Sequence, residues 1–309
     1  MKKILLSLSM IAAVAVVGVG ATGAFFSDSE TSTGNTFTAG AIDLTVDSEQ
    51  HYNGNVCAID TLDVNDNQNI LEYVWLGSAA YPVQGTPCNG TWLATDLGAH
   101  KFFDFLDIKP GDEGENTISL HVDSNDAYAC VDVNITKNDD VTCVEPEEGV
   151  EGPAVCGTDI PVSGPHMGDF NYDGELAQNI NFFAWADTGT TAGFQGTSDV
   201  GEGDNIWQAN EIPLFSNIIG PASDALDGES YTLADSLTGP LTGGSTSYIG
   251  LAWCAGTLTA PVPGTLICDG STMGNDTQTD SMVADIAFRI EQARNNEGFK
   301  CDGSHLDPQ

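Results

Sequence analysis

The chain has 309 residues, of which 45 are acidic and 8 basic, giving a formal net charge of −37 at neutral pH. A field of that sign repels nucleic acid and anionic lipid and attracts cations, so neither nucleic acid nor an anionic membrane is an expected partner. Hydrophobic residues make up 41% of the chain, enough for a packed core and against wholesale disorder.

The first element in chain order is Met1-Lys2-Lys3 followed by an apolar run from Ile4 to Gly20 and the small residues Ala21 and Gly23. A basic start, a short apolar stretch and small residues at the cleavage positions read as a secretory signal, residues 1–23, cut between Gly23 and Ala24 by a signal peptidase. The run is shorter than the roughly 20 residues that a membrane span needs, which leaves an uncleaved anchor as the alternative. Cleavage would release residues 24–309, lower the net charge from −37 to −39 by removing Lys2 and Lys3, and leave no membrane attachment.

Behind the signal, Ile42, Leu44 and Val46 alternate with Asp43, Thr45 and Asp47. The same alternation recurs at Ile118, Leu120 and Val122, at Val131, Val133 and Ile135, and from Met282 to Ile290. These are strands with one face buried and one wet. Residues 247–255 are apolar on both faces, as a central strand would be. With 35 glycines, 13 prolines and no long amphipathic helix pattern, the chain reads as an all-β, antiparallel sandwich forming a single domain.

Two long excursions interrupt the strands: a loop insertion at residues 51–100 and an acidic insertion at residues 138–244 packed on one edge, or else forming a second domain. Within the second, residues 174–180 and 223–229 are compatible with short helices and residues 180–186 with a strand.

All eight cysteines lie beyond the signal, which argues for disulfides in an oxidising compartment. Sequence alone leaves the pairing open. Segments rich in Gly, Pro and Asn favour the local bridges Cys57–Cys88, Cys143–Cys156 and Cys254–Cys268, leaving Cys130 for Cys301.

The stretch Gly23–Val46 resembles the N-terminus of the TasA/camelysin family of secreted biofilm-matrix proteins. The family pattern is a small residue, Ala-Phe-x-Asp, a Thr/Asn-rich segment and Phe-x-x-Gly-x-Ile/Leu-Asp-Leu, nearly all of it present here as Ala24-Phe25-Phe26-Ser27-Asp28, with one residue more before the Asp, and Phe37 through Leu44. Weaker matches are Leu106–Asp112 with the strand after it, and the last strand, 281–292. The resemblance implies a jelly-roll sandwich. It also implies a secreted subunit, at the cell surface or in the extracellular matrix, that polymerises with itself in the company of other matrix components. Its N-terminal segment, 24–38, would be donated to a neighbouring subunit with Phe25, Phe26 and Phe37 as apolar anchors. Pairing of that segment within its own subunit is the alternative, since edge strands are often covered in cis.

Two acidic stretches carry candidate calcium chemistry. Asp169, Asn171, Asp173 and Glu175 alternate as in the first half of a calcium loop, although Ile180 stands where a full loop has its bidentate Glu. Asp199, Glu202 and Asp204 form a second acidic turn, followed by Glu211. The competing reading for both is acidic turn residues bonded to their own backbone. A monomeric calcium-binding adhesin or coat protein is therefore an alternative function. A third is a secreted metalloprotease, since camelysin-like members of the resembled family are associated with that activity. The five histidines, 51, 100, 121, 166 and 305, are isolated in sequence and no His-Glu-x-x-His is present, so the expectation is a non-enzyme.

Overall fold

Alternating residues become the two faces of pleated strands, and the computed structural model sets out how those faces are covered. It describes residues 27–32 (backbone), 43–60, 72–123, 125–141, 174–189, 203–214 and 219–302. The strands are β1 (Ser27–Ser32), β2 (Leu44–Tyr52), β3 (Asn55–Ile59), β4 (Tyr73–Leu76), β5 (Trp92–Thr95), β6 (Glu113–Val122) and β7 (Ala127–Asp139). After the helical turn α1 (Leu176–Asn179) come β8 (Ile180–Ala186), β9 (Ile212–Pro213), β10 (Gly220–Pro221) and a second turn, α2 (Ala222–Ala225). The chain ends with β11 (Glu229–Ala234), β12 (Ser245–Ala255), β13 (Thr257–Val262), β14 (Thr265–Asp269) and β15 (Ser281–Gln292).

The strands form a 9-stranded sheet ordered β10-β8-β12-β6-β2-β3-β4, with β5 and β9 on the flanks of β2 and β8, and a 4-stranded sheet ordered β1-β15-β7-β11. Every pairing between these named strands is antiparallel. One core fills the space between the sheets: Leu44, Val46, Ile118, Leu120, Ile249 and Leu251 from the large sheet meet Val131, Val133, Ile286, Phe288 and Ile290 from the small one. The fold is thus the antiparallel, all-β sandwich that the alternation predicts.

The segment 138–244, expected as an insertion on one edge, is part of both sheets. β8 lies inside the large sheet between β10 and β12, and β11 pairs with β7 in the small sheet. The reason is in the residues of β8. Phe182 and Ala184 face the central core while Phe183 and Trp185 face outward, so both sides of the strand need cover. The outer side is covered by the two-stranded unit β13-β14, through Leu258 and Leu266, and by Trp207. The excursion 51–100 likewise extends the large sheet through β3, β4 and β5.

Disulfides join Cys57 to Cys88, Cys130 to Cys301, and Cys254 to Cys268. The last pins the β13-β14 hairpin to β12. Cys130–Cys301 ties the C-terminal tail over the outer face of the small sheet, where Phe299 stacks on Tyr128 at 5.6 Å. The fourth expected pair, Cys143–Cys156, lies outside the described residues.

Candidate functional site

The edge of the small sheet is the first candidate. β1 pairs with β15 of its own chain, Ser27 opposite Glu291 through Ser32 opposite Ile286, and nothing flanks β1 on its other side among the described strands. Within the single chain the N-terminal segment is therefore a cis strand over these six residues. Phe25, Phe26, Phe37 and the expected cleavage position at Gly23 and Ala24 lie outside the described residues.

The histidines come next, because a protease of the zinc type would need them together. His121 on β6 is bonded at both ring nitrogens, to Asp47 at 2.8 Å and to Thr246 at 2.9 Å. His100 stacks on Trp92 at 4.8 Å. His51 stands opposite Glu115 in the β2–β6 register, whereas His121 is opposite Thr45. Six strand positions separate those two points, roughly 20 Å at the usual rise per residue. The described histidines therefore do not fit a shared zinc ion, and among the described residues no three His, Cys, Asp or Glu side chains are grouped as a metal cage.

A buried acidic cluster is the third candidate, and it is assembled on the outer face of the large sheet. Glu115 of β6 lies opposite Ala252 of β12, which in turn lies opposite Phe183 of β8. Asp187 follows β8 directly, with its backbone N–H donating to the Tyr248 carbonyl. The segment 203–211 folds over them. Gly203 and Asn205 adopt left-handed backbone angles, and a Cβ on Gly203 would come within 2.7 Å of the Tyr248 ring, so only glycine fits there. Asn205 N–H donates to Asp187 Oδ2 at 2.7 Å, and Asn205 Nδ2 donates to Glu115 Oε2 at 3.1 Å. Glu211 accepts from the N–H groups of Thr188 and Gln208, one on each carboxylate oxygen.

Asp187 is fully buried, and Glu211 and Asn205 are nearly so. Burial pushes Glu211 up to about 8, Glu115 up to about 7 with help from the charge of Glu113, and Asp187 up to about 6. His51 beside Glu115 is shifted the other way, because burial disfavours its charged form, so it is neutral at pH 7 and supplies no counter-charge.

The residues named from the acidic motifs are dispersed. Asp204 is exposed and accepts from Ile206 N–H and Gln208 Nε2, an Asx-type turn. Glu175 precedes α1, and its backbone N–H donates to Asp280 Oδ2 at 2.6 Å, so a distant aspartate holds the start of that turn. Asp169, Asn171, Asp173, Asp199 and Glu202 lie outside the described residues. Of the named set only Glu211 belongs to the buried cluster. Its companions Glu115, Asp187 and Asn205 carry no local motif, being brought together across 72 and 18 residues of chain.

Finally, a cleft of about 450 Å³ opens beside β4, lined by Trp75, Tyr81, Phe105, Asn89 and Asp104 among others. Its Asn89 and Asp104 bond to each other at 2.9 Å, and Lys101 reaches Asp104 at 3.2 Å, so these polar groups are already satisfied.

Residues 2–67 match the family described as Camelysin metallo-endopeptidase, in agreement with the N-terminal resemblance to the TasA/camelysin family. The match spans about a fifth of the chain. No curated protein and no solved structure matches the chain. No helix among the described residues is long and apolar enough to cross a membrane.

Proposed function

We propose that this chain, with its camelysin-family N-terminus, is an exported structural subunit that builds an extracellular fibre by strand addition. The observation that carries the reading is the position of β1 at the edge of the small sheet, where six residues are held by one neighbour, β15. A strand so placed can leave without unravelling the sandwich core, which is built from β2, β6, β7, β12 and β15. The vacated edge of β15 then offers unpaired N–H and C=O groups, and the same segment of a second copy satisfies them with the same register.

The test is deletion of residues 24–38 from the secreted protein, followed by electron microscopy. Polymers should fail to grow, and a synthetic peptide of that sequence should bind the truncated monomer and raise its melting temperature. Fibres of normal length from the truncated protein refute the reading.

A second reading, peptide hydrolysis, is favoured by the family's own description. Chelator-sensitive cleavage of a fluorogenic peptide by the purified protein, restored by zinc, would establish it.

A further inference from the structure

We propose that Asp187 and Asn205, with Glu115 beside them, bind one hard divalent cation of the calcium class, a role independent of strand addition. The argument starts from two oxygens. Asp187 Oδ1 and Asn205 Oδ1 are both buried without a hydrogen-bond partner, on residues that are 0% and 7% exposed. Each belongs to a side chain whose other polar atom is already engaged inside the cluster: Asp187 Oδ2 accepts from Asn205 N–H, and Asn205 Nδ2 reaches Glu115 Oε2. An unpartnered buried acceptor is costly, and a carboxylate more so, unless something positive or donating fills the gap.

Asp187 has the Glu211 carboxyl and the Gly203 N–H for company, but no cationic side chain is there to balance the acids. No Lys or Arg occurs between residues 137 and 289; Lys101, Lys109, Lys137 and Arg289 are each paired with a different acid elsewhere, and Arg294 and Lys300 are exposed on the C-terminal tail. His51, the one histidine in register with Glu115, is neutral at pH 7.

The donor set suits a calcium-like ion. Such ions take six to eight oxygens from carboxylates, amide carbonyls and water, and Asp187, Glu115 and Asn205 supply two carboxylates and one amide oxygen. Two negative charges balance one divalent ion, and water completes the shell. Glu211 stands behind Asp187, locked by the Thr188 and Gln208 N–H groups, and acts as a positioning residue. Among the described residues no three His, Cys, Asp or Glu side chains form a cage by themselves, so the Asn205 amide oxygen and water are needed to complete the shell.

The experiment uses the full secreted protein. Trp185 and Trp207 lie two residues from Asp187 and Asn205 in sequence, so tryptophan-excited terbium emission reports occupancy. Expected is one saturable terbium site displaced by calcium, together with a melting temperature that rises with calcium and falls with chelator. D187N should abolish the saturable site. N205G should weaken it at least tenfold while tolerating the left-handed backbone of that position. N205D, which adds a carboxylate, should melt lower than wild type in chelator and recover in calcium. D204N should bind within twofold of wild type. Non-saturable binding by wild type, or calcium affinity unchanged in D187N and N205G, overturns the proposal in favour of trapped water. A melting temperature that responds to acid but not to calcium overturns it in favour of a shared proton.

Discussion

Removing the Cys130–Cys301 bridge should cost more stability than removing Cys254–Cys268, by an amount that follows from loop length. The first closes 171 residues of chain and the second 14. In the chain-entropy treatment, closing a loop of the first length stabilises by about 5 kcal/mol and of the second by about 3 kcal/mol. The shorter bridge lies inside the longer loop, and the shortcut it makes changes the larger figure by only about 0.1 kcal/mol. Burial of the sulfurs does not separate the two sites, because Cys130 and Cys254 are both 0% exposed and each pairs with a half-buried partner. The comparison is therefore urea unfolding of C130A/C301A against C254A/C268A, with the expected gap on the order of 2 kcal/mol. Equal losses, or a larger loss from C254A/C268A, would mean that local pinning of the hairpin outweighs chain entropy, and would refute the reasoning.

In chelator, urea midpoints should rise as pH falls from 8 to 5. Glu211, Glu115 and Asp187 titrate near 8, 7 and 6 when folded, above their unfolded values, so the native state holds more protons in that window and its stability declines as pH climbs through it. E211Q should flatten the profile, and an unchanged slope would count against the assignment. Arg289 pairs with Asp132 at 3.1 Å where Asp132 is 6% exposed, so R289M should destabilise by about 3–5 kcal/mol and R289M/D132L should regain most of it, as read by calorimetry. An added Cβ at Gly250 would sit 2.1 Å from the Trp185 ring, so G250A should cost about 1–3 kcal/mol, and a melting temperature equal to wild type would disprove the packing described for β8 and β12.

The strands were legible wherever one face is wet. β2, β6, β7 and β15 carry alternation, and the structure buries the apolar members, Leu44 and Val46 or Ile286, Phe288 and Ile290, although in β7 the face that alternation marks as wet is also buried, at Tyr128, Cys130 and Asp132. β12 was legible as a central strand from its apolar residues on both faces. The residues of β8 carry a comparable signal, Phe182, Phe183, Ala184, Trp185, Ala186, yet their place inside the large sheet was hidden by the Gly- and Asp-rich sequence around them, which reads as loop. Turn composition speaks for the connections and says nothing of where the strand between them pairs. The buried cluster was hidden for a different reason. Glu115 sits on the face of β6 that alternation marks as wet, and it becomes half-buried because segment 203–211 folds over that face, a tertiary event with no periodicity. Asp204 and Glu211 drew notice by spacing, but spacing along a loop does not reveal which carboxylate turns inward: Glu211 does and Asp204 does not.

Cis pairing of β1 and strand addition between copies are two outcomes of one set of bonds. If a strand from another copy takes the six-residue register that β1 makes with β15 in its own chain, the backbone hydrogen bonds do not decide between the two. What decides is the concentration of free neighbours against the effective concentration of the tethered segment, which for a short connection is in the millimolar range. Eleven residues separate β1 from β2, which keeps the cis strand close at hand and favours monomers in dilute solution. Charge adds to that preference. With 45 acidic against 8 basic side chains, two subunits repel once their surfaces approach within the screening length, about 8 Å at physiological ionic strength. Growth in trans, as proposed, would therefore call for crowding of subunits and for cations that neutralise the approaching surfaces. On the strand-addition reading, a strongly acidic chain with an edge strand on a short tether would be monomeric in dilute solution and would polymerise only where crowding and cations permit.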